Sequence, residues 1–119
     1  MTVDEVVAVF KGIGLPITYL QWPQDLSGRK TVPPLPYLVY YFPEVDPEPA
    51  DDTVHATIYG INLELYTKRK DFTTEARIDA ALTAAGLVWR KSESYLNSEH
   101  MFEVLYQMEE PIWEELDTD

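Results

Sequence analysis

The chain contains no cysteine, which excludes disulfide frameworks, thiolate nucleophiles and cysteine-ligated metals. It is also short of cations. Nine Lys and Arg stand against 21 Asp and Glu, for a net charge of -12 and a pI near 4.4. Binding to a phosphate backbone needs Lys and Arg to displace counterions, so the chain as a whole repels nucleic acid. No stretch approaches the roughly 20 apolar residues of a membrane helix. The opening Met1-Thr2-Val3-Asp4-Glu5 lacks the basic-then-apolar order of a secretion signal, so the expected compartment is the cytoplasm of the producing cell. There are only two histidines, His55 and His100, and neither stands in a recognisable ligand or triad spacing. Glycine-rich phosphate or dinucleotide loops are missing as well. Asp–Glu pairs are too numerous among 21 acids for any one to mark a carboxylate dyad. The expectation is no catalysis, no metal and no cofactor.

What the chain does have is apolar and aromatic surface: 45% hydrophobic and 13% aromatic over 119 residues, enough for one buried core. Thr2 and Glu5 stand at capping-box spacing. Val3, Val6, Val7, Phe10 and Ile13 then form one apolar stripe, stopped by Gly12, Gly14 and Pro16. A short extended piece, 17–22, leads into a loop over 23–36 that carries the exposed turn Ser27-Gly28-Arg29-Lys30. The run Tyr37-Leu38-Val39-Tyr40-Tyr41-Phe42 predicts a strand that is apolar on both faces, with helices over one and a neighbouring chain over the other. Residues 43–53 predict a proline-rich acidic loop with Glu44, Asp46, Glu48, Asp51 and Asp52. Its spacing does not match a glycine-centred calcium loop.

Residues 54–68 predict one long strand. Thr57, Tyr59, Ile61, Leu63 and Leu65 share a face, Asn62, Glu64 and Tyr66 lie on the other, and Gly60 marks a bulge or kink. His55 reads as ordinary half-exposed surface. The basic run Lys68-Arg69-Lys70 opens a second helix, capped by Asp71 or Thr73 and buried along Ile78, Ala81, Leu82 and Ala85. Residues 87–95 and 101–108 predict a final hairpin. The expected fold is α+β: a mainly antiparallel sheet of four to five strands with two helices on one face, in the order α-β-β-β-α-β-β. One domain is expected over 1–108, followed by an acidic tail over 109–119 in which Ile112, Trp113 and Leu116 share a helical face. Docking of that tail on its own sheet competes with docking on a neighbour.

Ile61-Asn62-Leu63-Glu64-Leu65-Tyr66-Thr67-Lys68-Arg69-Lys70-Asp71 is followed by an acidic helix. Trp89-Arg90-Lys91-Ser92-Glu93-Ser94-Tyr95 and Ser98-Glu99-His100-Met101-Phe102-Glu103-Val104-Leu105-Tyr106 come after it. With Gly14-Leu15-Pro16 and Pro36-Tyr37-Leu38-Val39-Tyr40, this layout resembles the small tail-completion or tail-terminator proteins of tailed bacteriophages of Gram-positive bacteria and their prophages. The resemblance spans nearly the whole chain. It implies a virion structural protein of the lambda-like tail-terminator type. Copies would form a ring, hexameric in such proteins, assembled in the host cytoplasm. The ring would end the tail tube, dock to the head–tail connector or stopper, and pass DNA through its bore without binding it specifically. The expected interface residues are Tyr37, Val39, Tyr41, Lys68, Arg69, Lys70 and Trp113, with the acidic loop a complementary partner for the basic run. A second reading is an acidic DNA mimic that offers carboxylates to a basic partner.

Overall fold

A computed structural model describes residues 1–47 and 55–114, with the side chains of His55, Ala56 and Glu114 outside that description. The order is α1 (Val3–Gly12), β1 (Ile17–Tyr19), β2 (Tyr37–Pro47), β3 (His55–Thr67), α2 (Phe72–Ala84), β4 (Trp89–Leu96) and β5 (Met101–Glu114). The strands form one five-stranded mixed sheet in the order β1-β2-β3-β5-β4. All neighbours are antiparallel except β1 and β2, which run parallel.

Both helices start where the chain offers an acceptor for the free amides of a first turn. In α1 the Glu5 amide donates to the Thr2 hydroxyl at 3.2 Å, and the Thr2 amide donates to the Glu5 carboxylate at 3.3 Å. In α2 it is Asp71, not Thr73, that caps: its carboxylate accepts from the Thr74 amide at 3.0 Å and from the Thr74 hydroxyl at 2.6 Å. Those two bonds hold the Asp71 carboxyl below its usual range.

The two helices cover the same face of the sheet. Val6 and Phe10 of α1 and Ile78 and Leu82 of α2 join Leu38, Ile61, Leu63, Leu65, Val104, Tyr106 and Met108 in one buried cluster. The Arg77 guanidinium locks the helices together by donating to the Ile13 carbonyl at 2.6 Å. The expected stripe on α2 is there, but it also buries Thr74 and Glu75, two polar residues that the apolar pattern did not include.

Two boundaries differ from expectation, and both lengthen the sheet. Residues 43–47 are strand rather than loop. Tyr41 pairs with Asn62 and Glu44 with Gly60, so Phe42 and Pro43 together oppose Ile61. The bulge therefore lies in β2, where it hosts a proline that lacks an amide for the ladder. β3 runs through Gly60 in unbroken register with β5. Glycine is suited to this point because a Cβ there would stand 3.4 Å from the Glu44 carbonyl oxygen. At the other end, residues 109–114 are not a helical tail but the second half of β5, paired with His55–Gly60 of β3. Ile112 is buried in the core, and the Trp113 amide donates to the Met1 carbonyl at 3.0 Å. The acidic composition of this segment hid an alternation in which Met108 and Ile112 face inward. Leu116 lies outside the described residues. The long strands make the molecule elongated, 50 × 36 × 22 Å with a radius of gyration of 16.2 Å. A compact domain of this length would have about 13–14 Å.

Candidate functional site

The candidate site is the broad sheet face opposite the helices. Strand alternation decides who stands there. Leu38 pairs with Leu65 and Tyr40 with Leu63, all facing the core, so Tyr37, Val39 and Tyr41 face away with Tyr66, Glu64 and Asn62. The β2 bulge then reverses the parity. Without the extra residue, Glu44 and Asp46 would continue the inward series of Leu38, Tyr40 and Phe42. With it, they stand opposite Gly60 and Ile58 on the outer face. From β5 the same face receives Glu103, Leu105, Gln107 and Glu109, and from β4 Arg90, Ser92 and Ser94. Among the described strand residues, this face thus carries Glu44, Asp46, Glu64, Glu103 and Glu109, with Arg90 as the one cation.

At its centre the Tyr66 hydroxyl donates to Glu64 at 2.7 Å, and the Asn62 amide donates to the Tyr41 hydroxyl at 3.1 Å. Burial and the nearby Glu103 carboxyl push the Glu64 acid up to about 7, against the opposing effect of the Tyr66 bond. Burial and the Glu64 carboxylate likewise raise the Tyr66 hydroxyl. Toward the bulge, the face dips into an open depression of about 710 Å³ lined by Pro43, Glu44, Gly60, Asn62, Arg90 and Glu109, among others. No group of three or more His, Asp or Glu able to hold a metal occurs among the described residues.

The predicted interface residues do not form one patch. Tyr37 and Val39 are only 7% and 6% exposed, so the chain already covers much of this strand's second face itself. Trp22, from the connection between β1 and β2, packs edge-on against Tyr37 at 5.4 Å, and Tyr37 stacks with Tyr66 at 5.3 Å. A parallel pair needs a long crossover, and this one folds back over the sheet. Tyr41 is half-buried. Trp113 is exposed on the same face, at the far end of β5.

The basic run divides. Lys68 and Arg69 are exposed beside a cleft of about 270 Å³ with Leu35, Pro36 and Asp71. Lys70 is engaged internally, 2.7 Å from Glu75 and 2.8 Å from Glu93. Lys91 completes the network on the helix side, 3.3 Å from Glu75 and 3.0 Å from Asp79, and the Tyr106 hydroxyl donates to Asp79 at 2.7 Å. Burial works against both lysines' charge, but the carboxylate bonds raise them above the usual range. Of the acidic loop, Glu44 and Asp46 are exposed strand residues, while Glu48, Asp51 and Asp52 lie outside the described residues, as does the His55 side chain.

Sequence reasoning placed Asn62, Glu64 and Tyr66 on one face but missed their neighbours Glu103, Gln107 and Arg90. The alternation in each strand was available. The order that puts β5 between β3 and β4 was not. Compared with known proteins, the chain matches no family model and no curated sequence.

Proposed function

We propose that this protein is a structural subunit of the head–tail junction of a tailed phage or prophage, assembling as a ring at the end of the tail tube. The observation that carries this reading is the acidic face. A sheet surface with Glu44, Asp46, Glu64, Glu103 and Glu109 repels a phosphate backbone, as a wall beside passing DNA must. In this reading the acidic face turns toward the bore. The elongated sheet supplies the unlike surfaces that a closed ring needs, and Lys68 and Arg69 remain as cations for an acidic neighbour.

The test is to add the purified protein to tail-tube subunits of the same phage or prophage and follow the tubes by electron microscopy. Capped ends and arrested growth are expected. Tubes that elongate unchanged, together with absence of the protein from mature particles, overturn the reading. The same carboxylates favour one second reading, a mimic of DNA that occupies a basic protein. That reading predicts salt-sensitive displacement of DNA from such a protein, with no effect on tube growth.

A further inference from the structure

Strand β4 ends the sheet, and among the described residues nothing pairs with its outer edge. Every second residue of an edge strand sends its N–H and C=O outward, so chains usually blunt such edges with proline, bulges or free charge. The opposite side of this sheet is blunted in those ways. There β1 covers only Leu38–Tyr40 of β2, and the rest of β2 carries the bulge, Pro43, Glu44, Asp46 and Pro47. The edge at β4 has neither proline nor bulge. Its register with β5 is unbroken from Trp89 to Leu96. Its Lys91 and Glu93 are drawn to the helix side by Glu75, Asp79 and Lys70.

We infer that β4 pairs antiparallel with β4 of a second copy, about a twofold axis at Ser92, joining two sheets into one. The register follows from the strand itself. With the helices of both copies on the same side, residues of like parity must stand opposite one another. Centring on Lys91 would put two lysines face to face, and centring on Glu93 two carboxylates. Centring on Ser92 places Lys91 opposite Glu93 of the second copy, Arg90 opposite Ser94, and Trp89 opposite Tyr95. One step further out, Val88, 80% exposed, meets Leu96. The sequence Val88-Trp89-Arg90-Lys91-Ser92-Glu93-Ser94-Tyr95-Leu96 is thus self-complementary when reversed: apolar at both ends, opposite charges within, and a small residue on the axis. Lys91 and Glu93 keep side-chain exposures of 33% and 49%, enough to meet across the axis without leaving their internal partners. Such a pair is closed and does not by itself propagate a ring. It is therefore an association of the free protein and stands apart from the proposed function.

The test uses the whole chain. Sedimentation of the wild type should show a reversible monomer–dimer equilibrium. Ser92 is exposed and has no side-chain partner among the described residues, so its variants keep the fold, which circular dichroism verifies. Ser92→Lys sets two ammonium groups across the axis and should weaken the dimer about tenfold or more. Ser92→Cys should oxidise to a covalent dimer, because directly opposed strand residues lie about 4.5–5.5 Å apart, within disulfide range. Ser27→Cys, in an exposed loop away from β4, should form no covalent dimer under the same conditions. A wild type that is monomeric up to about 1 mM, or a dimer indifferent to Ser92→Lys, overturns the inference. Neither result bears on whether the protein caps tail tubes.

Discussion

Replacing Glu64 by Gln should make the protein more stable at neutral and alkaline pH and leave it unchanged in acid. Glu64 holds its proton to about 7 in the folded chain against an ordinary 4.5, chiefly because it is partly buried and then because Glu103 is its neighbour. Below pH 4.5 the group is protonated whether the chain is folded or not, and it contributes nothing to the pH dependence. Between 4.5 and about 7 the unfolded chain releases the proton and the folded chain keeps it, so stability falls as pH rises. Above that window both states are ionised, and the folded state carries a constant deficit. The gap in acidity corresponds to about 3 kcal/mol at most, and solvent access on the open face reduces it to about 1–3 kcal/mol. Glutamine imitates the protonated acid, since its carbonyl can still accept from the Tyr66 hydroxyl 2.7 Å away. Urea titrations of both proteins at pH 4, 6 and 8 read the effect as a difference that opens with pH. A difference that is constant across the three, or a variant weaker than wild type at pH 8, would refute the assignment of Glu64 as the strained carboxylate.

Glu75 and Glu93 both contact Lys70, but at very different exposure, 4% and 49%. Glu75→Gln strips the carboxylate shared by Lys70 and Lys91 and should cost about 2–4 kcal/mol. Glu93→Gln should cost less than about 1 kcal/mol. Denaturant midpoints rank the two, and equal costs would contradict the geometry. Deleting Pro43 removes the bulge, so Glu44 and Asp46 must either turn toward the helix side or lose their pairing with β3. A loss of more than about 2 kcal/mol is expected. Pro43→Ala keeps the residue count and should cost under about 1 kcal/mol. Thermal unfolding of both variants decides whether the count or the proline matters.

Much of the fold was legible because local chemistry and periodicity carry it. The capping box of Thr2 and Glu5, the α1 stripe through Val6 and Phe10, the cap at Asp71 and the alternation of Ile61, Leu63 and Leu65 all act within a few residues of chain. They gave the two helices, the long β3 and the α+β order. Where expectation and structure part, a partner strand intervenes. Acidic, proline-bearing residues 43–47 and 109–114 have weak strand preference, but the length of β3 offers both of them a ladder, and tertiary pairing overrides composition. The same holds for the candidate site. The sequence by itself determined the charge and which side chains alternate along each strand. Only the tertiary structure decided that β5 lies between β3 and β4, bringing Glu103 to Glu64, and that one extra residue in β2 turns Glu44 and Asp46 onto that same face. Hydrogen-bonded strand order and register are long-range choices, set by which apolar sets bury together, and no local pattern encodes them.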